Sequence, residues 1–267
     1  MMEVLDFLRL SPVSFGLAAL VAMMAMNEVG MFLGRTRRAR NEGKPDEATG
    51  IVVGSVLGLL AFVLALTLSN ANSRFEQRQE AALDESNAIS TAWLQAGAVG
   101  GDRAKSLQTT MGAYILARYA YVSSPPNDTV IDGFNQATND LQNKIWADLS
   151  AVIEARPGPP ATSLMNAINT MFDASQSMRY AMNYHMPWQF LGLLFAMTVV
   201  GMASIGYQFG QFGQRGRWPA FVIAMVWTVV VVQILDIGMS RIWSMQADGR
   251  TYIWTMQSMG MPTSGFK

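Results

Sequence analysis

The chain has 267 residues, 51% hydrophobic and 14% charged, with nineteen basic and nineteen acidic side chains and a mean hydropathy of +0.19. That balance is too apolar for an ordinary soluble domain and too charged for a chain wholly in lipid, so a mixed membrane protein fits. Cysteine is absent and His185 is the one histidine, which excludes disulfides, thiolate chemistry and a Cys-based or His-rich metal site within one subunit, and zero net charge argues against a general nucleic-acid binder.

The first thirty residues begin acidic, "MMEVLDFLRL", and lack a small-x-small site before Arg35, which predicts a retained helix and not a signal peptide. The apolar run Pro12 to Leu33 is long enough to cross a bilayer, which takes about 20 residues at 1.5 Å each. Glu28 lies inside it, beside Asn27, and Asp236 lies near the end of the fourth apolar run, after Gln233. An ionisable group at membrane depth is costly. Two readings follow: an interfacial position, with Glu28 satisfied by the basic loop and Asp236 by Arg241, or a face on water that lines a path for ions or protons. Met23, Met24, Met26 and Met31 in this run are explained by flexible packing.

The connecting loop "RTRRARNEGKPDEATG" holds five basic residues. The second run spans Gly50 to Leu68, and its Gly50, Gly54 and Gly58 fall four apart on one helical face, where another backbone can approach closely. That partner is either another helix of the same subunit or a copy of this helix around an axis. Leu59, Phe62, Leu66 and Ser69 form a helical stripe, suited to a hydrophobic constriction or to lipid contact. The polar cluster Ser69, Asn70, Asn72 and Arg74 sits where this helix exits, as a pore mouth or as headgroup-solvated side chains.

No glycine or proline lies between Gly58 and Gly97. The second helix is therefore expected to run unbroken to about Ala96, roughly 70 Å from Gly50. Phe75, Ala82, Ile89 and Ala96 recur every seven residues, widened by Leu83 and Trp93. The charged Arg74, Glu76, Arg78, Glu80, Asp84 and Glu85 are expected mostly on other faces.

Three further helices divide the polar insert, residues 69–186. Gly97, Gly100 and Gly101 separate the long helix from "DRAKSLQTTMGAYILARYAYV", which "SSPPND" ends. "DTVIDGFNQATNDLQNKIWADLSAVIEA" follows, with Asn127 or Asp128 as N-cap and a stripe of Phe134, Leu141, Ile145, Leu149 and Ile153. After "RPGPP" comes "ATSLMNAINTMFDASQSMRYAMNYH", expected to run into the third membrane helix with a kink at Pro187. Two long extensions with two shorter helices between them make a four-helix bundle. By composition the insert holds eleven acidic and eight basic residues, a weak lean toward cations.

The third run is Pro187 to Gln208 and the fourth Trp218 to Gly238; Trp188, Trp218 and Trp243 suit the headgroup layer. Between them "YQFGQFGQRGRW" places Gln208, Gln211 and Gln214 along one side of a helix end, as a cap and interfacial segment; it matches no phosphate loop. His185 is read as an interfacial polar contact. The tail, 239–267, groups Tyr252, Ile253, Trp254 and Met256, and is expected on the membrane surface or against a neighbouring subunit.

The expected architecture is all-α: membrane helices one and two with their basic loop (1–68), the helical bundle (69–186), membrane helices three and four (187–238) and an interfacial tail (239–267). The first loop, with Arg215 and Arg217 in the second, places both connecting loops in the cytoplasm by the positive-inside rule and the bundle on the periplasmic side of a cell inner membrane. Arg74, Arg78, Arg179, Arg241 and Arg250 on the opposite side narrow that charge difference. No G-x-S-x-G, no H-E-x-x-H and no carboxylate pair proposes an enzyme, and no cofactor is called for.

The run "LTLSNANSRFEQRQEAALDESNAISTAWLQA" on a small-residue membrane helix resembles the bestrophin-like domain family of bacterial and plant membrane proteins, through Arg74–Phe75, the mixed-charge run and "ESNAISTAWL". The resemblance is sharpest over residues 50–96, and the four-span plan extends it over most of the chain. It implies a relation to bestrophin anion channels, symmetric pentamers whose pore is lined by the second membrane helix. Of their aromatic neck only Phe62 has a counterpart, and no acidic cluster matches the calcium clasp of animal bestrophins; ion selectivity is not implied. Two functions are thus in play: a homo-oligomeric channel for inorganic ions in the lipid bilayer, or a non-conducting membrane sensor that binds a partner through its bundle.

Overall fold

The computed structural model describes residues 11–41, 44, 48–183, 188–213, 216–238 and 248–266. Every regular element among them is a helix: α1 (Pro12–Arg40), α2 (Ala48–Val99), α3 (Asp102–Val122), α4 (Asp128–Ala155), α5 (Pro159–Asn183), α6 (Trp188–Phe212), α7 (Arg217–Gly238) and α8 (Arg250–Ser258). They belong to two compact units, Met1–Ser73 with His185–Met239, and Arg74–Tyr184 with Ser240–Lys267. The division falls five residues later than the sequence suggests, and the C-terminal segment joins the second unit.

Among the described residues, four helices are long and apolar enough to cross a membrane, in α1, α2, α6 and α7. Glycine sets how two of them meet. A Cβ on Gly30 would strike the Ala203 carbonyl, one on Gly206 the Asn27 carbonyl and one on Gly210 the Met31 carbonyl. The backbones of α1 and α6 are therefore in direct contact, through two glycine pairs at four-residue spacing. Pairings rise together along both helices, so α1 and α6 run in the same direction, as first and third crossings must. α7 runs opposite to α1: Gly16 lies by Thr228 and Val232, whereas Glu28 lies by Arg217. Met23, Met202, Ile205, Ala220 and Ala224 fill the space between. Many outward side chains are large and apolar, with Val13 71%, Val21 68% and Ile51 75% exposed. A surface of that kind needs lipid or another chain to cover it.

The second unit closes around one apolar core. α2 contributes Ala82, Ile89 and Ala96, α3 Leu107, Met111 and Tyr114, α4 Ile145 and Leu149, and α5 Leu164, Ile168 and Met171. The α4 stripe faces this core, with Phe134, Leu141 and Ile153 packed at its edge. Gly100 and Gly101 adopt φ of +68° and +88°, a left-handed turn that side chains disfavour, and α2 ends there. The Arg156 guanidinium donates to the Val99 carbonyl at 2.6 Å, placing a cation on the free carbonyls of that helix end. Asn127 caps α4, its side chain accepting from the Val130 N–H at 3.3 Å.

The structure corrects some sequence expectations and leaves others undescribed. Arg78 and Glu85 were expected among residues that fall mostly off the apolar stripe; they are 1% and 0% exposed, whereas Leu83, assigned to the stripe, stands 46% exposed. Of the tail group, Tyr252 and Met256 are fully buried in the second unit's core and cannot meet a membrane surface or a neighbouring subunit, whereas Trp254 is 61% exposed. The α5–α6 junction, with His185 and the Pro187 kink, lies outside the described residues, as do Gln214, Arg215, Arg241 and Trp243.

Candidate functional site

α2 is one helix of 52 residues that continues through Ser69 without a break. Its membrane-spanning half has two unlike faces. Thr49, Val53, Leu60, Thr67 and Ala71 are buried, Thr49 on Gln211 and Leu60 against Gly201 of α6. Ile51, Ser55, Leu59, Phe62, Leu66 and Ser69 follow at steps of four, four, three, four and three, which puts them on one face, and all six are exposed. Leu59, Phe62 and Leu66 are between 53% and 59% exposed. The stripe read from the sequence thus shares one open face.

The glycines lie beside it. A Cβ at Gly54 or Gly58 would meet nothing within 4 Å, and one at Gly50 only Gln208 Nε2 at 3.8 Å. Among the described residues, none packs closely on this small-residue face. The seam that does pack closely, Gly30 and Gly34 against Gly206 and Gly210, was not singled out in the sequence. Its signal is present as "GMFLG" and "GYQFG".

The exit cluster disperses. Successive helical residues step by about 100°, so Ser69, Asn70, Asn72 and Arg74 spread around α2. Ser69 and Asn72 are exposed, while Asn70 and Arg74 are half-buried. Arg74 donates to Gln77 Oε1 at 3.0 Å.

Of the two ionisable candidates, Glu28 is neutralised. Arg217 Nε and Nη2 hold its two carboxylate oxygens at 2.7 and 3.0 Å, a bidentate pair. The partner comes from the start of α7, not from the α1–α2 loop. Asp236 is half-buried on α7. Gln211, from the glutamine repeat, is 1% exposed; it accepts from the Thr49 hydroxyl at 3.3 Å and donates to the Tyr207 hydroxyl at 2.9 Å, tying α6 to the start of α2.

The second unit contains a polar group that sequence reasoning missed. Arg118 grips the buried Glu85 with Nε and with Nη2, the latter at 3.1 Å from Oε2, and the Tyr252 hydroxyl donates to Oε2 at 2.5 Å. The guanidinium also lies 4.6 Å from the centre of the Tyr121 ring. Burial opposes the Arg118 charge, but Glu85 outweighs it and raises the guanidinium above its ordinary range. Burial first, then Glu85, push the Tyr252 hydroxyl well above the usual tyrosine range and raise Tyr114 as well. The clue was Arg118 itself, alone among apolar residues in "AYILARYAYV". The cluster ties α2, α3 and α8 together and offers no open position for a substrate.

A family model of the bestrophin-like domain matches residues 16–236. The fold is similar to the crystal structure of a bacterial bestrophin homologue from Klebsiella pneumoniae with a leucine-to-threonine mutation, with TM-score 0.66, 10% identity, 92% of this chain and 98% of that chain. It is also similar to the crystal structure of a proline-to-alanine variant of a membrane protein, with TM-score 0.61, 11% identity, 91% of this chain and 98% of that chain. No curated protein matches the sequence.

Proposed function

The chain belongs to the bestrophin-like domain family, and on that premise we propose that it is a homo-oligomeric ion channel in which copies of α2 surround a central pore. The carrying observation is the open face of α2. A transmembrane helix buried on one side by its own subunit exposes Leu59, Phe62, Leu66 and Ser69 in line on the other. Around an axis those residues form stacked rings. The apolar rings make a constriction that closes by dewetting, and Ser69 begins the polar mouth. The open Gly54 and Gly58 let neighbouring copies of α2 approach closely. Asn70, Asn72 and Arg74 flank that mouth.

Glu28, held by Arg217, is assigned to structure and not to the ion path. Asp236 remains a candidate for the path. The extramembrane part is assigned as a bundle of the α2 extension, α3, α4 and α5, with α5 continuing toward the third membrane helix, on the periplasmic side of the inner membrane. The partners are then lipid, inorganic ions and other copies of the chain.

Reconstitution in liposomes under a salt gradient tests this reading. The folded oligomer is expected to pass ions, and the reversal potential in a planar bilayer gives the sign of the permeant species. A folded oligomer that passes neither anions nor cations removes the channel reading and leaves the sensor one.

A further inference from the structure

One end of the first unit collects guanidinium groups beside exposed aromatic rings. α1 does not stop with its apolar run: it continues to Arg40 and carries Arg37, Arg38 and Arg40 in its last turn, with Arg35 just before them. The end of α6 and the start of α7 reach the same place. A Cβ on Gly210 would lie 3.0 Å from the Arg35 backbone N, and one on Gly213 would strike the Arg38 guanidinium. Arg217 opens α7 and reaches back to Glu28, and Arg35 follows Glu28 by seven residues on α1, two turns along the same face. Arg37, Arg38 and Arg40 lie further along α1, so this end carries five guanidiniums and Glu28 is held by one of them, Arg217. The Glu28 pair uses Nε and Nη2 of Arg217, whose side chain is still 69% exposed.

Phe32 is 69%, Phe212 45% and Trp218 74% exposed at this end, with Trp218 stacked on Phe221 at 5.7 Å. A soluble anion gains nothing from those rings. A ligand with an anionic phosphate at one end and an apolar body at the other engages both features: the planar fork of arginine matches phosphate oxygens, and tryptophan suits the depth of the glycerol backbone.

We propose that this end of the α1–α6–α7 group binds an anionic phospholipid, with Arg35 and Arg217 on its phosphate and Trp218 against its glycerol and upper acyl region. The assignment is independent of conduction.

Full-length protein in mild detergent is titrated with dioleoylphosphatidylglycerol, dioleoylphosphatidylcholine or inorganic phosphate, and the thermal unfolding midpoint is followed. Phosphatidylglycerol raises the midpoint at concentrations where the other two do not. Arg35→Gln and Arg217→Gln each shift the phosphatidylglycerol concentration for half effect upward by about fivefold, as expected for one guanidinium at a membrane surface. Glu28→Gln, which removes the competing carboxylate, shifts it downward. Arg103→Gln, on α3 in the other unit, leaves it unchanged. Among the described residues Arg35 bonds to Met31 Sδ of its own helix, at 3.0 Å, so its variant carries the test if Arg217→Gln does not fold. An equal response to phosphatidylcholine would mean general lipid solvation, and an equal response to inorganic phosphate a soluble-anion site; either overturns the proposal. So does an unchanged phosphatidylglycerol response in folded Arg35→Gln.

Discussion

Glu85 is wholly buried, yet it is satisfied by an arginine fork on one side and a tyrosine hydroxyl on the other. Such a charge is stable only while its partners remain. Arg118→Met leaves the carboxylate uncompensated and is expected to cost about 3–5 kcal/mol, read as a lowered midpoint in denaturant. Replacing the whole set, as Glu85→Leu with Arg118→Met and Tyr252→Phe, should recover most of that loss. The tyrosines give this cluster a pH signature. Tyr252 and Tyr114 have raised values in the fold, whereas in the unfolded chain tyrosine ionises near pH 10. Above about pH 10 the native state holds more protons than the unfolded one, so stability is full below that pH and falls as pH rises past it. Unfolding midpoints taken across this range should drop in the wild type and drop less in Tyr252→Phe. None of this was legible beforehand, because helical spacing reports that Glu85 and Arg118 lie on their helices but not that those faces meet.

Helices are where the sequence speaks most directly. Gly100, Gly101, "SSPPND" and "RPGPP" bound α2, α3 and α4 as their backbone chemistry requires, and the uninterrupted α2 follows from the absence of breakers between Gly58 and Gly97. Which glycines pack was less accessible. Spacing identifies Gly50, Gly54 and Gly58 as one face, but a face says nothing of its partner, and the subunit uses Gly30, Gly34, Gly206 and Gly210 instead. Gly206→Ala puts a Cβ into the Asn27 carbonyl and is expected to destabilise the subunit by about 1–3 kcal/mol. Gly58→Ala meets open space in the subunit. It should leave the unfolding of the subunit intact and weaken assembly, which crosslinking of detergent-solubilised oligomers would show. If Gly58→Ala changes neither property, α2 does not use that face against its copies.

At the scale of the whole molecule, four apolar runs and a charged helical insert were enough to indicate an all-helical membrane protein, and the bestrophin-like fold holds at 10% identity to a solved homologue. Fold persists at such distance because it depends on apolar spacing, breakers and close approaches more than on particular side chains. The path of the C-terminal segment was hidden for the same reason. α8 has nine residues, too few to show on which apolar surface Tyr252 and Met256 settle. The absence of cysteine from the chain makes its proposed pore directly testable. Single cysteines at Phe62, Leu66 and Ser69, and at the buried Leu60 and Thr67, can each be reconstituted in liposomes and treated with a charged, water-soluble thiol reagent while ion flux is recorded. Flux should fall on treatment at Phe62, Leu66 and Ser69 and stay constant at Leu60 and Thr67; constant flux at all of the outward positions, in oligomers that conduct, would contradict a pore lined by α2.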